Sequence, residues 1–269
     1  MTILVASVAA FVFTTVLTMA GVGAAFVLIP ILVALGVDIH TAMATALLLN
    51  TVAMSVASVS FVRNGLVVWR LVLPMVATAV ALSPLGVAVS RGLDRTTLLV
   101  LFVAFLLLAA GTMLFYKPKA RAESSSRAVQ AIVGGLVGAV AGFVGGLLGV
   151  GGGNIIVPAL VALGIDPRKA SASASFTVIF ASLSGFLSHM SMAHPAPSLL
   201  GSTGVATALG ALLGSWLVSR KLSGAQLKRV IAVVLIAIAI KMAAFDVRGP
   251  ARPQPMPSAT TDSASGTSR

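Results

Sequence analysis

The sequence predicts an all-α polytopic membrane protein of two pseudo-symmetric, inverted repeats, each with a Gly-broken helical hairpin and about three spanning helices. Three observations predict it. The chain is 58% hydrophobic and 9% charged, with a mean hydropathy of +1.08, more apolar surface than one soluble core can bury. Its apolar segments recur at about the 20 residues a helix needs to span a bilayer. Residues 21–46 and 149–174 are one passage written twice at an offset of 128: GVGAAFVLIPILVALGVDIHTAMATA, then GVGGGNIIVPALVALGIDPRKASASA. Apolar segments interrupted by Gly and Pro at matching places in two halves mark a secondary transporter.

In chain order, the apolar segments fall at 2–20, 24–36, 43–62, 71–90 and 97–116, then at 128–148, 153–164, 170–189, 199–219 and 227–245. In lipid each must be helical to satisfy its own backbone. No basic residue precedes 2–20, so that segment is expected to be retained structure and not a cleaved signal. The first transmembrane repeat is placed at 1–116, a cytoplasmic linker at 117–127 (KPKARAESSSR) and the second repeat at 128–245. The Pro- and Ser-rich tail 246–269 is expected to be disordered.

Segments 24–36 and 153–164 decide the threading, because thirteen helical residues rise only about 20 Å. If 2–36 is one broken helix that crosses once, each repeat crosses four times and both point the same way. If the chain turns back at Gly21–Gly23, the second repeat is inverted. Basic residues favour the second threading. The first divides Arg63, Arg70, Lys117, Lys119, Arg121 and Arg127 from Arg91, Arg95, Arg168, Lys169, Arg220, Lys221, Lys228 and Arg229, six against eight. With Lys241 and the three arginines of the tail left out of both counts, the second leaves only Arg91 and Arg95 opposite the other twelve; it places both termini outside, and adding those four to the minority still leaves twelve against six. The net charge of +12 is spread singly or in small groups between apolar segments, which suits topology and anionic headgroups and not nucleic acid. With no Cys, disulfides and thiolate metal sites are excluded.

The sharpest local motif is Gly149-Val-Gly-Gly-Gly-Asn154, with Pro158 four residues on. Consecutive glycines break a helix, and the exposed N–H groups are tolerable in a membrane only in a protein-lined cavity. A helix starting near Asn154 would aim its positive end there, a site for an anion. Pro158 is expected in the first turn, where its missing N–H costs little. The first copy carries the milder Gly21-Val-Gly-Ala-Ala25 with Pro30, and an inverted arrangement brings both breaks together. Backbone N–H groups near Gly151, Gly152, Gly153 and Asn154, and near Gly21, Gly23 and Phe26, are the expected anion holders, with Ser173, Thr45 and Asn50 assisting. On this reading Gly152→Leu stops transport. Gly134, Gly138, Gly142 and Gly146, at four-residue spacing, read instead as a packing face.

All six acidic residues fall in expected loops or the tail, which disfavours a cation substrate and leaves His189 and His194 as the nearby titratable groups. Asp38 and Asp166 stand where N-caps belong. There is no Lys-Ser/Thr after the glycines and no G-x-S-x-G, so nucleotide binding and a serine enzyme lack their residues.

The doubled pattern Gly149–Gly153, Pro158–Gly164 and Ala170–Ser173, with its weaker first copy, resembles the sulfite exporter TauE/SafE family, also called the 4-toluene sulfonate uptake permeases. The resemblance covers residues 1–245. It implies a multi-pass inner-membrane protein moving sulfite, sulfoacetate or sulfonates, with seven or eight membrane helices, from which the hairpin threading departs. The family often shows Ala-Thr-Ser where this chain has Ala172-Ser173-Ala174 and Ala44-Thr45-Ala46. The expected function is secondary transport of a small sulfur anion by alternating access, with a passive anion channel and an intramembrane enzyme as rivals. No cofactor or metal is expected; the expected partners are the small anionic substrate and the lipid bilayer, with no nucleic acid, and a homo-oligomer is compatible.

Overall fold

A computed structural model of the chain describes residues 2–19, 23–34, 36–115, 127–190 and 197–220, with 236 and 240. Gly21, His194, nearly all of the linker 117–127, nearly all of the tenth apolar segment 227–245 and the tail 246–269 lie outside the described residues. The described elements are helices: α1 (Thr2–Met19), α2 (Ala25–Ala34), α3 (Ile39–Arg63), α4 (Trp69–Arg91), α5 (Arg95–Phe115), α6 (Arg127–Leu148), α7 (Gly153–Ala162), α8 (Pro167–His189) and α9 (Pro197–Arg220). Of these, α3, α4, α6 and α8 are long and apolar enough to cross a membrane. The helices α2 and α7, with 10 residues each, rise about 15 Å, half a bilayer. Large apolar side chains point outward from the bundle, among them Leu73, Ile132, Leu136 and Leu187, each more than 60% exposed, as a lipid-facing surface requires.

The helix starts follow from local chemistry. Asp38 accepts the N–H groups of His40 and Thr41 at 3.0 and 3.2 Å, and Asp166 accepts those of Arg168 and Lys169 at 2.9 and 3.4 Å. Both are the N-caps expected from the sequence. The turns that lead into them also match. Val37 N–H donates to the Leu32 carbonyl and Ile165 N–H to the Leu160 carbonyl, each at 3.0 Å.

Glycine sets the packing of α4 on α6. A Cβ on Gly134, Gly138, Gly142 or Gly146 would strike the backbone of Leu71, Met75, Ala79 or Ser83 in turn. The two helices therefore run parallel with their backbones in contact, as small residues at four-residue spacing permit. On the other side of the bundle α1 packs on α9, where Cβ atoms on Gly210 and Gly214 would meet the Phe11 and Thr15 carbonyls. The close approach of Gly214 to Thr15 matches that of Gly86 to Phe143, both partners 128 residues apart.

The innermost pair is α3 with α8, which run antiparallel: Asn50 meets Ser182, and Leu47 lies against Gly185. Alongside, α4 runs parallel to α8, with Ser184 Oγ donating to the Val80 carbonyl at 3.0 Å and Arg91 to the Ser188 carbonyl at 3.1 Å. Since α6 and α8 both run with α4, the short α7 between them must run back. Gly65 and Arg70 line one cleft with Ile165 and Lys169, so the loops 63–70 and 165–169 share one end of the bundle. That arrangement fits the hairpin threading; a four-crossing repeat would place these loops on opposite faces.

Candidate functional site

The turn from α6 into α7 is built by three glycines with left-handed backbones. Gly149 (φ +69°) ends α6, and the Val150 N–H closes onto the Gly145 carbonyl at 2.9 Å. Gly151 (φ +73°) and Gly152 (φ +78°) then reverse the chain against α6, where a Cβ on Gly152 would strike the Ala141 carbonyl. Gly152 is the N-cap of α7 and brings no side-chain cap. The first helical bonds come from the N–H groups of Ile155 and Ile156, both to the Gly152 carbonyl, so the Gly153 and Asn154 N–H groups precede the ladder. Neither Pro158 nor Pro30 lies in a first turn as expected: each is the sixth residue of its helix, and its missing N–H leaves the carbonyl one turn back, Asn154 or Phe26, without a helical donor.

Both breaks meet on one residue. Asn50 is fully buried near the middle of α3, about 17 Å along it from Ile39. Its Nδ2 donates to Ser182 Oγ on α8 at 2.9 Å, while its Oδ1 has no partner among the described residues. A Cβ on Gly23 (φ +79°) would fall on the Asn50 amide, and one on Gly151 would fall between Ser182 Oγ and Asn50 Nδ2. Asn154 stands in the first turn of α7, 4% exposed, with neither Nδ2 nor Oδ1 bonded to any of the described residues. Buried amides almost always find partners, so three unbonded amide atoms, one on Asn50 and two on Asn154, need an explanation.

The other expected site residues lie elsewhere. Ser173 Oγ accepts the Val68 N–H at 3.0 Å and ties the α3–α4 connection to α8, nine residues before Ser182. Thr45, buried with an unbonded hydroxyl, is five residues before Asn50 on α3, off its face. His189 is buried at the far end of α8, its Nε2 3.3 Å from the Gly146 carbonyl and its ring 6.2 Å from that of His40. Among the described residues no group of three metal-ligating side chains occurs.

Ser182 was not expected, and the repeat explains why. At the offset of 128 Ser182 pairs with Met54, Asn50 with Val178 and Asn154 with Phe26. All three are positions where the two copies differ; Asn50 and Asn154 are marked by their place beside the breaks, and Ser182 is the one that a search for matched positions passes over.

Neither the comparison with curated proteins nor that with solved structures returns a match. Residues 6–242 match the profile of the family described as Sulfite exporter TauE/SafE, a stretch that includes both glycine breaks, and the chain belongs to that family of membrane transporters.

Proposed function

We propose that the protein is a secondary carrier of sulfite or a related organosulfur anion, which it binds where the two helix breaks meet. The observation that carries this reading is Asn154: a buried amide with both polar atoms unbonded, at the N-terminus of a helix whose first N–H groups no side chain caps. A helix N-terminus favours negative charge, and the Asn154 Nδ2 adds a donor of the kind an oxyanion accepts. Asn50 and Ser182 add polar groups beside Gly23 and Gly151, and the carboxylates among the described residues, Asp38, Asp94 and Asp166, are engaged at helix starts. The recurring caps, turns and close contacts at the 128-residue offset support two inverted halves, 1–116 and 128–245, and rocking of one half on the other would open the site to each side alternately.

Gly152→Leu does not test this reading, because the left-handed backbone and the Ala141 carbonyl make any side chain there a folding defect. Uptake of labelled sulfite into proteoliposomes tests it, with sulfate, thiosulfate and a sulfonate as competitors. Saturable uptake that accelerates when the lumen is preloaded with unlabelled sulfite is expected of a carrier. Flux that neither saturates nor responds to preloading would make the protein a channel.

A further inference from the structure

The helices α3 and α8 keep one antiparallel register over most of their length. The ring of His40 lies 6.2 Å from that of His189, a Cβ on Gly185 would come within 3.2 Å of Leu47 Cδ1, and Asn50 bonds Ser182. Farther along, Phe61 and Ala172 belong to one buried apolar cluster. That register sets Ser58 of α3 level with Ser175 of α8, within one residue. Ser58 stands eleven residues after Leu47, three turns on, and Ser175 stands seven residues before Ser182, two turns back. Both serines therefore face the seam between the helices. Ser58 is 4% exposed and Ser175 fully buried, and neither hydroxyl has a partner among the described residues. A hydroxyl in a membrane helix ordinarily returns to the carbonyl four residues back, as those of Thr51 and Thr177 do on these same helices. Two unbonded ones at one level, about 10–12 Å along the seam from the Asn50–Ser182 pair, call for another use.

We propose, on the carrier reading, that the anion bound at the breaks passes along the α3–α8 seam to the end of the bundle at loops 63–70 and 165–169, with Ser58 and Ser175 donating to it on the way. A hydroxyl donates without carrying charge, so it holds an oxyanion weakly enough to release it. The interfaces on either side leave no width for an ion. Backbone meets backbone at four successive glycines between α4 and α6, and at Gly210 and Gly214 between α1 and α9. The seam is shut in this structure, because Ala57 and Phe61 pack with Val67, Val72 and Ala172 beyond the two serines. Rocking that parts α3 from α8 turns both hydroxyls toward water.

The chain has no native Cys, so single thiols report on the seam. Val59, next to Ser58 and 52% exposed, is the control at the same depth. In proteoliposomes, a small charged maleimide should label Ser58→Cys and Ser175→Cys at least about tenfold faster than Val59→Cys, because the thiolate that reacts forms in water and not in lipid. Exposure in the closed structure gives the opposite order. Labelling is done without sulfite, which itself consumes maleimides. Labelling of the two seam positions no faster than Val59→Cys overturns the proposal.

Ser58→Ala and Ser175→Ala give a second reading. Loss of an unbonded hydroxyl should leave the melting midpoint unchanged or raise it, while the initial rate of labelled-sulfite uptake should fall at least about threefold in each variant. Uptake at the wild-type rate in both overturns the proposal. So does a loss of rate that accompanies a lowered melting midpoint, which marks a packing role. Uptake by the unsubstituted protein that neither saturates nor responds to preloading would remove the carrier, and fast labelling of both serines would still assign them to the passage.

Discussion

At the scale of residues, the centre of the protein holds Asn50 bonded to Ser182 with Gly23 and Gly151 against the pair, and Asn154 buried in the first turn of α7. Ser182→Ala takes away the acceptor of Asn50 Nδ2 and leaves a fully buried amide with neither polar atom bonded. The expected cost is about 1–3 kcal/mol, read as a lowered melting midpoint of the detergent-solubilised protein. Asn50→Leu, which removes the polar group altogether at similar size, should cost less stability while raising KM for the anion. Equal stability losses from the two variants would show that the amide is not held by Ser182. The glycine break was legible in the sequence because three consecutive glycines have no packing explanation on a single helical face. Ser182 was not, because one serine in a helix rich in hydroxyls carries no signal until α3 is laid against α8.

At the scale of elements, the glycine face of α6 and the aspartate caps were readable, since each depends on spacing within one segment. Gly142→Leu should drive α6 off α4, because its Cβ would meet the Ala79 backbone, and should cost at least about 1–3 kcal/mol as overpacking. Gly111→Ala on α5, where none of the described residues lies within 4 Å of the added Cβ, should be neutral or stabilising by about 0.5–1 kcal/mol. A fluorescence melt of both variants measures the contrast. The start of α5 gives a pH prediction. Asp94 accepts the Thr97 hydroxyl and the N–H groups of Thr97 and Thr96, and the hydroxyl bond above all holds its carboxyl below the usual carboxylate value. A depressed folded value means that the cap acts in full above the ordinary carboxylate range and is lost as pH falls through the folded value. The melting difference between the wild type and Asp94→Asn should therefore stay constant from neutral pH to about pH 5 and shrink below about pH 4. The depth of Pro30 and Pro158 within α2 and α7 was misread, because the sequence does not mark where the glycine turn hands over to helix.

At the scale of the whole molecule, composition was enough for the membrane class, while the hairpin threading is the reading to which the offset of 128 and the basic residues point. What composition could not supply is which helices touch, because α4 meets α6 and α1 meets α9 across the sequence halves. The absence of native Cys makes the threading directly testable. Asn64→Cys and Arg168→Cys should react with an impermeant maleimide from the same side of the membrane, and Gly92→Cys from the other. Reaction of positions 64 and 168 from opposite sides would restore the four-crossing threading. The central claim, that the anion sits where the breaks meet, is tested most directly by the initial rate of labelled-sulfite uptake by Asn154→Asp in proteoliposomes. That variant keeps the volume of the side chain and places a negative charge at the α7 N-terminus. With folding unchanged by circular dichroism, the rate should fall at least about tenfold, equivalent to about 1.4 kcal/mol. Uptake at the wild-type rate would contradict it and move the site away from the break.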